Sequence, residues 1–92
     1  MKTQSPTLAL YHKDYCPYCM LTRKAIKKLG LDIELRDTES NAMFRNELVK
    51  EGGKRQVPCL RIEDAAGNVQ WMYESMDIIK YLRDYQAQLQ VA

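Results

Sequence analysis

Thr7-Leu8-Ala9-Leu10-Tyr11-His12-Lys13-Asp14-Tyr15-Cys16-Pro17-Tyr18-Cys19 is the stretch whose reading decides the fold. Its first six residues form a short apolar run with the length of a buried strand. The run stops at Lys13-Asp14-Tyr15, and Pro17 stands where a first helical turn begins, a position at which its missing N–H costs nothing. Leu21, Ala25, Ile26 and Leu29 then recur at helical spacing. Lys27 and Lys28 complement the dipole of the last turns, and Gly30 supplies the stop. Two cysteines therefore flank the junction between a strand and a helix.

Working outward, Leu31 to Asp37 alternates apolar and polar residues and predicts a half-buried strand. Thr38 or Ser40 is the expected cap of a helix that carries Ala42, Met43, Leu48 and Val49 and ends at Gly52-Gly53. Val57 to Glu63 is a further strand, with Pro58 at its head. Ala65-Ala66-Gly67-Asn68 reads as a turn into an antiparallel partner, Val69 to Met72. Ser75 is the expected cap of a last helix through Ile78, Ile79, Tyr81, Leu82 and Tyr85, with fraying from Gln86 to Ala92. The order β-α-β-α-β-β-α predicts an α/β fold: a four-stranded mixed sheet with helices on both faces, opening with a right-handed βαβ unit. Met20 and Met43 fall at helical positions expected to fill core, Trp71 is expected to cover the hairpin, and Tyr11, Tyr81 and Tyr85 to pack inside.

The chain has 92 residues, 46% hydrophobic and 28% charged, which fits one domain spanning 1–92. A net charge of +2 with interspersed signs points away from nucleic acid and from a polybasic membrane anchor. No run reaches membrane-spanning length, and Leu8 to Tyr11 is too short for a signal-peptide core. The odd count of three cysteines, Cys16, Cys19 and Cys59, does not suit a secreted disulfide framework. A cytoplasmic, reducing setting and a monomer are the expectations. There, a close cysteine pair is catalytic or metal-binding.

The Cys16-Pro17-Tyr18-Cys19 spacing suits redox chemistry. A thiol at a helix N-terminus meets unpaired N–H groups and partial positive charge, which favour a thiolate at Cys16. Lys13 adds a full charge. Cys19, one turn in, is expected to be more buried, to keep its proton and to act second, as the resolving thiol. The same spacing serves zinc and iron–sulfur sites, for which the chain offers Cys59 and His12 as further ligands. His12 otherwise reads as an ordinary strand-end residue, and Cys59 as a core thiol or a second partner for Cys16.

Lys13 ahead of Cys16-Pro17-Tyr18-Cys19, then Gln56-Val57-Pro58, then Glu74-Ser75-Met76-Asp77 resemble the glutaredoxins of the thioredoxin superfamily over nearly the whole chain. The resemblance implies a thioredoxin-like fold, a cis Pro58 beside the cysteines, and no resident metal. It also implies a glutathione-dependent oxidoreductase acting on glutathionylated or disulfide-containing proteins. Glutathione would meet Lys13 and Gln56 at its glycine carboxylate, Tyr18 along its length and the Val57 backbone at its cysteinyl unit. Glu74, Ser75 and the last helix's N-terminus would hold its γ-glutamyl end. Two departures stand out: Gln56 where many glutaredoxins have Thr, and Tyr73-Glu74-Ser75 where many have Gly-Gly. The Glu74-Ser75 segment is similar instead to the glutathione-contacting segment of glutathione S-transferase N-terminal domains. Two other readings follow from the same thiol, an iron–sulfur carrier using Cys16 with glutathione and a thioredoxin-like donor served by a flavoprotein reductase.

Overall fold

The structure, a computed structural model, describes residues 6–91 and the side chains as far as residue 89. Strand β1 (Thr7–His12) leads into helix α1 (Pro17–Leu29) and strand β2 (Glu34–Asp37). Helix α2 (Ala42–Glu47) continues as a π-helical turn (Leu48–Gly52), and β3 (Cys59–Glu63), β4 (Val69–Met72) and α3 (Ser75–Val91) follow. The four strands form one mixed sheet in the order β2-β1-β3-β4. β1 runs parallel to β2 and antiparallel to β3, and β3 and β4 make a hairpin.

β1 is central, which explains its unbroken apolar run: both its faces are covered. Leu8 and Leu10, with Leu60 and Ile62 of β3, pack against Ile26 of α1 and Ile78 and Leu82 of α3. Tyr11 and Cys59 turn to the other face, where Leu48 closes over them and Phe44, Val57, Trp71 and Tyr73 pack alongside. Helices thus lie on both faces, as expected. Tyr81 and Tyr85 stack on the first core with centroids 6.3 Å apart, and Trp71 meets Tyr11 at 5.4 Å.

Several local expectations are corrected. β2 begins at Glu34, three residues later than its alternation implies, and Leu35 is 46% exposed. At this sheet edge α1 covers Ile33 but not Leu35. The opposite face of β2 is largely shielded from water at Arg36, because α2 packs over it. The Arg36 guanidinium lies 5.4 Å from the Tyr11 ring centre and 5.6 Å from that of Phe44. It donates to the Tyr11 hydroxyl at 2.6 Å and to Glu47 Oε1 at 2.9 Å, while the Tyr11 hydroxyl itself donates to Glu47 Oε1. Burial and the Glu47 carboxylate both hold the Tyr11 proton well above the ordinary phenol range.

Asn41, rather than Thr38 or Ser40, caps α2, its Oδ1 accepting from Met43 N at 2.9 Å. Thr38 is instead buried, tied through its N–H and hydroxyl to the His12 carbonyl. Ser75 is the first helical residue of α3, and Glu74, whose carbonyl accepts from Ile78 N, holds the cap position. α3 stays helical through Val91 instead of fraying from Gln86. Ala92 lies outside the described residues. Met20 and Met43 are exposed, because the inward side of α1 is taken by Cys19, Thr22 and Ile26 and none of Ala42 to Glu47 is buried. Thr22 tolerates that position by donating to the Tyr18 carbonyl at 2.8 Å.

Gly52 ends the π turn beneath two aromatic rings, and its carbonyl accepts from the Tyr73 hydroxyl at 2.7 Å. A Cβ there would lie 2.5 Å from Tyr73 Oη and 2.9 Å from Trp71 Cε3. Gly52→Ala is therefore expected to cost about 1–3 kcal/mol, read as a lower urea midpoint at unchanged slope. An unchanged midpoint would mean that these rings move aside freely.

Candidate active site

One end of the sheet gathers the chemistry. β1 and β2 both finish there, at His12 opposite Asp37. β3 enters at Cys59 opposite Tyr11, so the cis Val57–Pro58 peptide sits where β1 gives way to the cysteine loop. β4 leaves at Met72 opposite Leu60, which brings Glu74 and Ser75 to the same end. α1, α2 and α3 all begin at this edge.

Cys16 is the N-cap of α1, in extended conformation, with Pro17 opening the helix. Its Sγ accepts from Cys19 N at 3.4 Å, so the orphan N–H of the first turn points at sulfur. Burial pushes the Cys16 thiol up. That push is outweighed by the Cys19 N–H, the Cys19 thiol, the Tyr18 N–H and the Lys13 charge, and the net direction is down. Cys19 is fully buried, and burial pushes its thiol up to about 12, with the neighbouring Cys16 adding to the rise. Lys13 N donates to Cys19 Sγ at 3.4 Å and opposes it. The pair is thus split into one partly exposed, acidified thiol and one enclosed, protonated thiol. All three cysteines are free thiols.

Arg23 holds this loop in place, a role that its polar helical position did not reveal. Its Nη1 lies 3.0 Å from His12 Nδ1 and donates to the Lys13 carbonyl at 3.0 Å, and its Nη2 donates to the Asp14 carbonyl at 3.1 Å. Burial and the Arg23 charge push the His12 imidazolium down, which leaves a neutral ring serving the strand end. Cys59 is a core thiol, raised to about 12 by burial and opposed by a hydrogen bond with the Tyr73 hydroxyl. Among the described residues, no group of three or more His, Cys, Asp or Glu side chains is gathered to hold a metal ion.

A pocket of about 340 Å³ opens beside Cys16, lined by Cys16, Lys13, Asp14 and Tyr15 on one side and Asp37, Glu39 and Ser40 on the other. Of the residues singled out from sequence, Lys13 and Cys16 share this pocket. Tyr18 and Gln56 are exposed, Val57 half-buried, Pro58 buried, Glu74 exposed and Ser75 half-buried; none of the six lines it. A second depression, about 440 Å³, is framed by Arg45, Asn46, Val49, Lys50 and Arg55, just ahead of Gln56. Its three cations come from residues too far apart in sequence to read as a patch, although Lys50, Lys54 and Arg55 crowd one stretch.

A family model described as Glutaredoxin matches residues 8–65, from β1 through the β3–β4 turn and across both cysteines. The chain belongs to the glutaredoxin family. Glutaredoxin 2 of Escherichia coli strain K12 is 33% identical over 76 residues, which is 82% of this glutaredoxin-family chain and 32% of that protein. The chain therefore spans about a third of the length of this relative. Among solved structures, maleylacetoacetate isomerase from Anaeromyxobacter dehalogenans 2CP-1, with glutathione bound in its active site, superposes with a TM-score of 0.69. It is 26% identical over 91% of this chain and 39% of the isomerase. The glutaredoxin of Brucella melitensis, at 17% identity, a TM-score of 0.56 and coverage of 91% and 85%, shares the thioredoxin-like fold. No helix among the described residues is long and apolar enough to cross a membrane.

Proposed function

We propose that this glutaredoxin-family chain is a glutathione-dependent thiol–disulfide oxidoreductase in which Cys16 is the nucleophile and Cys19 the resolving thiol. The observation that carries the reading is the opposite displacement of two thiols one helical turn apart, Cys16 down and Cys19 up. Of the two, Cys16 is the more readily ionised, and only the thiolate attacks disulfide sulfur.

In the reductive half, the Cys16 thiolate attacks the glutathione sulfur of a protein–glutathione mixed disulfide. A Cys16–glutathione disulfide forms, the protein sulfur leaves as thiolate, and it takes a proton from solvent. A second glutathione thiolate then attacks the bound glutathione sulfur, releases oxidised glutathione and restores the Cys16 thiolate. With a protein disulfide, the Cys16 thiolate attacks one sulfur, forming a Cys16–protein mixed disulfide and freeing the other sulfur as a thiolate that takes a proton from solvent. Cys19 then attacks Cys16, its proton passing to the protein sulfur that departs, and closes Cys16–Cys19, which two glutathiones later reduce.

Family membership supports glutathione as the reductant, as does the superposition on a glutathione-binding isomerase across most of the chain. In this reading Lys13 and Gln56 take the glycine carboxylate, Tyr18 and the Val57–Pro58 backbone flank the cysteinyl unit, and Glu74 and Ser75 at the start of α3 take the γ-glutamyl end. Arg45 and Arg55 add cations close to Gln56. The protein acts as a monomer in a reducing cytosol, on glutathionylated or disulfide-containing proteins, with no resident metal.

The reading is tested by supplying a glutathionylated peptide with either glutathione and its reductase or thioredoxin reductase alone. Turnover with glutathione is expected to exceed that with thioredoxin reductase by about ten-fold or more. Equal or reversed rates would replace it with the flavoprotein-served donor.

A further inference from the structure

The pocket beside Cys16 contains a contact that the glutathione reading does not use. Lys13 Nζ lies 4.0 Å from Glu39 Oε2, spanning the β1–α1 loop and the β2–α2 loop. Both side chains are partly exposed, 41% and 66%, so the pair is adjustable rather than a buried clamp. Glu39 is nevertheless held to this place by its backbone, since its N–H donates to Asp37 Oδ1 at 2.8 Å and Ser40 N to the same oxygen at 3.3 Å. Asp37 is thereby committed to the turn. Glu39 is the carboxylate turned toward the ammonium, and Asp14 is the remaining acid on the rim.

We propose that Glu39 is a specificity-determining residue that weighs against anionic groups on the Lys13 side of Cys16. The inference rests on the glutathione reading, in which Lys13 receives the glycine carboxylate. That carboxylate must displace Glu39 from Lys13 and then sit beside a second negative charge. A disulfide whose flanking group is neutral meets no such competition. Glu39 therefore tilts the site away from glutathione mixed disulfides and toward disulfides without an anion at this position. The effect is modest because both partners are solvated, and salt weakens it.

The test uses two peptide mixed disulfides, one with glutathione and one with glutathione whose glycine carboxylate is an amide. At low ionic strength Glu39→Gln is expected to lower KM for the carboxylate substrate about three-fold. Its kcat should hold, and KM for the amide should not move. Lys13→Met is expected to raise KM for the carboxylate substrate and to shrink the gain from Glu39→Gln in the double variant to what relief of the direct repulsion gives. An unmoved KM in Glu39→Gln overturns the proposal, as does an equal fall for both substrates, which would report only a structural change. Should Lys13→Met leave KM for the carboxylate substrate where it was, the assignment of Lys13 within the glutathione reading is itself wrong, and the role of Glu39 falls with it.

Discussion

Cys16→Ser reduces the rate on a glutathione mixed disulfide to less than about a thousandth of the parent value, whereas Cys19→Ser retains a substantial fraction of it. The asymmetry follows from where the two sulfurs sit. Cys16 caps α1, half-exposed, with the Cys19 and Tyr18 N–H groups and the Lys13 charge favouring its anion. A serine hydroxyl cannot ionise usefully in that place, so the covalent step is lost. Cys19 is enclosed and protonated, and on a mixed disulfide a second glutathione can do its work. On a protein disulfide no such substitute stands ready, so Cys19→Ser should fail there while still serving the mixed disulfide. Rates of both variants on both substrate types measure this. Equal losses on the mixed disulfide would mean that the two thiols act as an inseparable unit, and the division of labour would be wrong.

The second large effect is a loss of stability in alkali. Cys19 and Cys59 are raised from an ordinary value of 9.0 to about 12, burial being the first cause for each, and both side chains are fully enclosed. Above pH 9 the unfolded chain releases these protons while the folded chain keeps them. The unfolded state then binds fewer protons, and stability falls as pH rises. The contribution of each thiol is complete below 9 and disappears between 9 and 12. At about pH 10.5 the loss is on the order of 2 kcal/mol for each thiol, a large share of the stability of a domain this size. Cys16 has the opposite sign: its depressed value adds stability as pH climbs toward 9 and nothing further beyond. Tyr11, raised by burial and by Glu47, steepens the decline at the high end. Urea unfolding under reductant across this range should show falling stability in the parent and a slope shallower by about one proton in Cys59→Ala. A slope identical in the two proteins would show that Cys59 ionises in the folded state as freely as in the unfolded one.

Much of this was legible in the residues themselves. Pro17 after Cys16, the apolar spacing of α1, Gly30 at its end and the turn before Val69 each state a local preference, and the folded chain obeys them. The failures have a common cause. Periodicity points Leu35, Met20 and Met43 inward, but it says which residues share a face, not how far a neighbour extends over that face. Leu35 lies at a sheet edge that α1 does not reach, and Met20 stands beside, not on, the stripe that meets the sheet. Thr38 and Ser40 looked like caps because their side chains suit the task, yet Thr38 is drawn to the His12 carbonyl, 26 residues away, and Asn41 takes the position. Nothing in the local sequence marks Arg23 or Arg36, yet both are structural, one pinning the cysteine loop and the other bridging Tyr11 and Glu47.

The sequence by itself determined the order of strands and helices and set two cysteines one helical turn apart at the start of α1. Both depend on spacing along a few turns of chain and on the dipole of a single helix. Only the tertiary structure decided how completely Cys19 and Cys59 are sealed, that Arg23 ties down the loop, and that Glu39 faces Lys13. Desolvation and charge pairing across loops exist only after elements distant in sequence have packed together, and no local pattern carries that information.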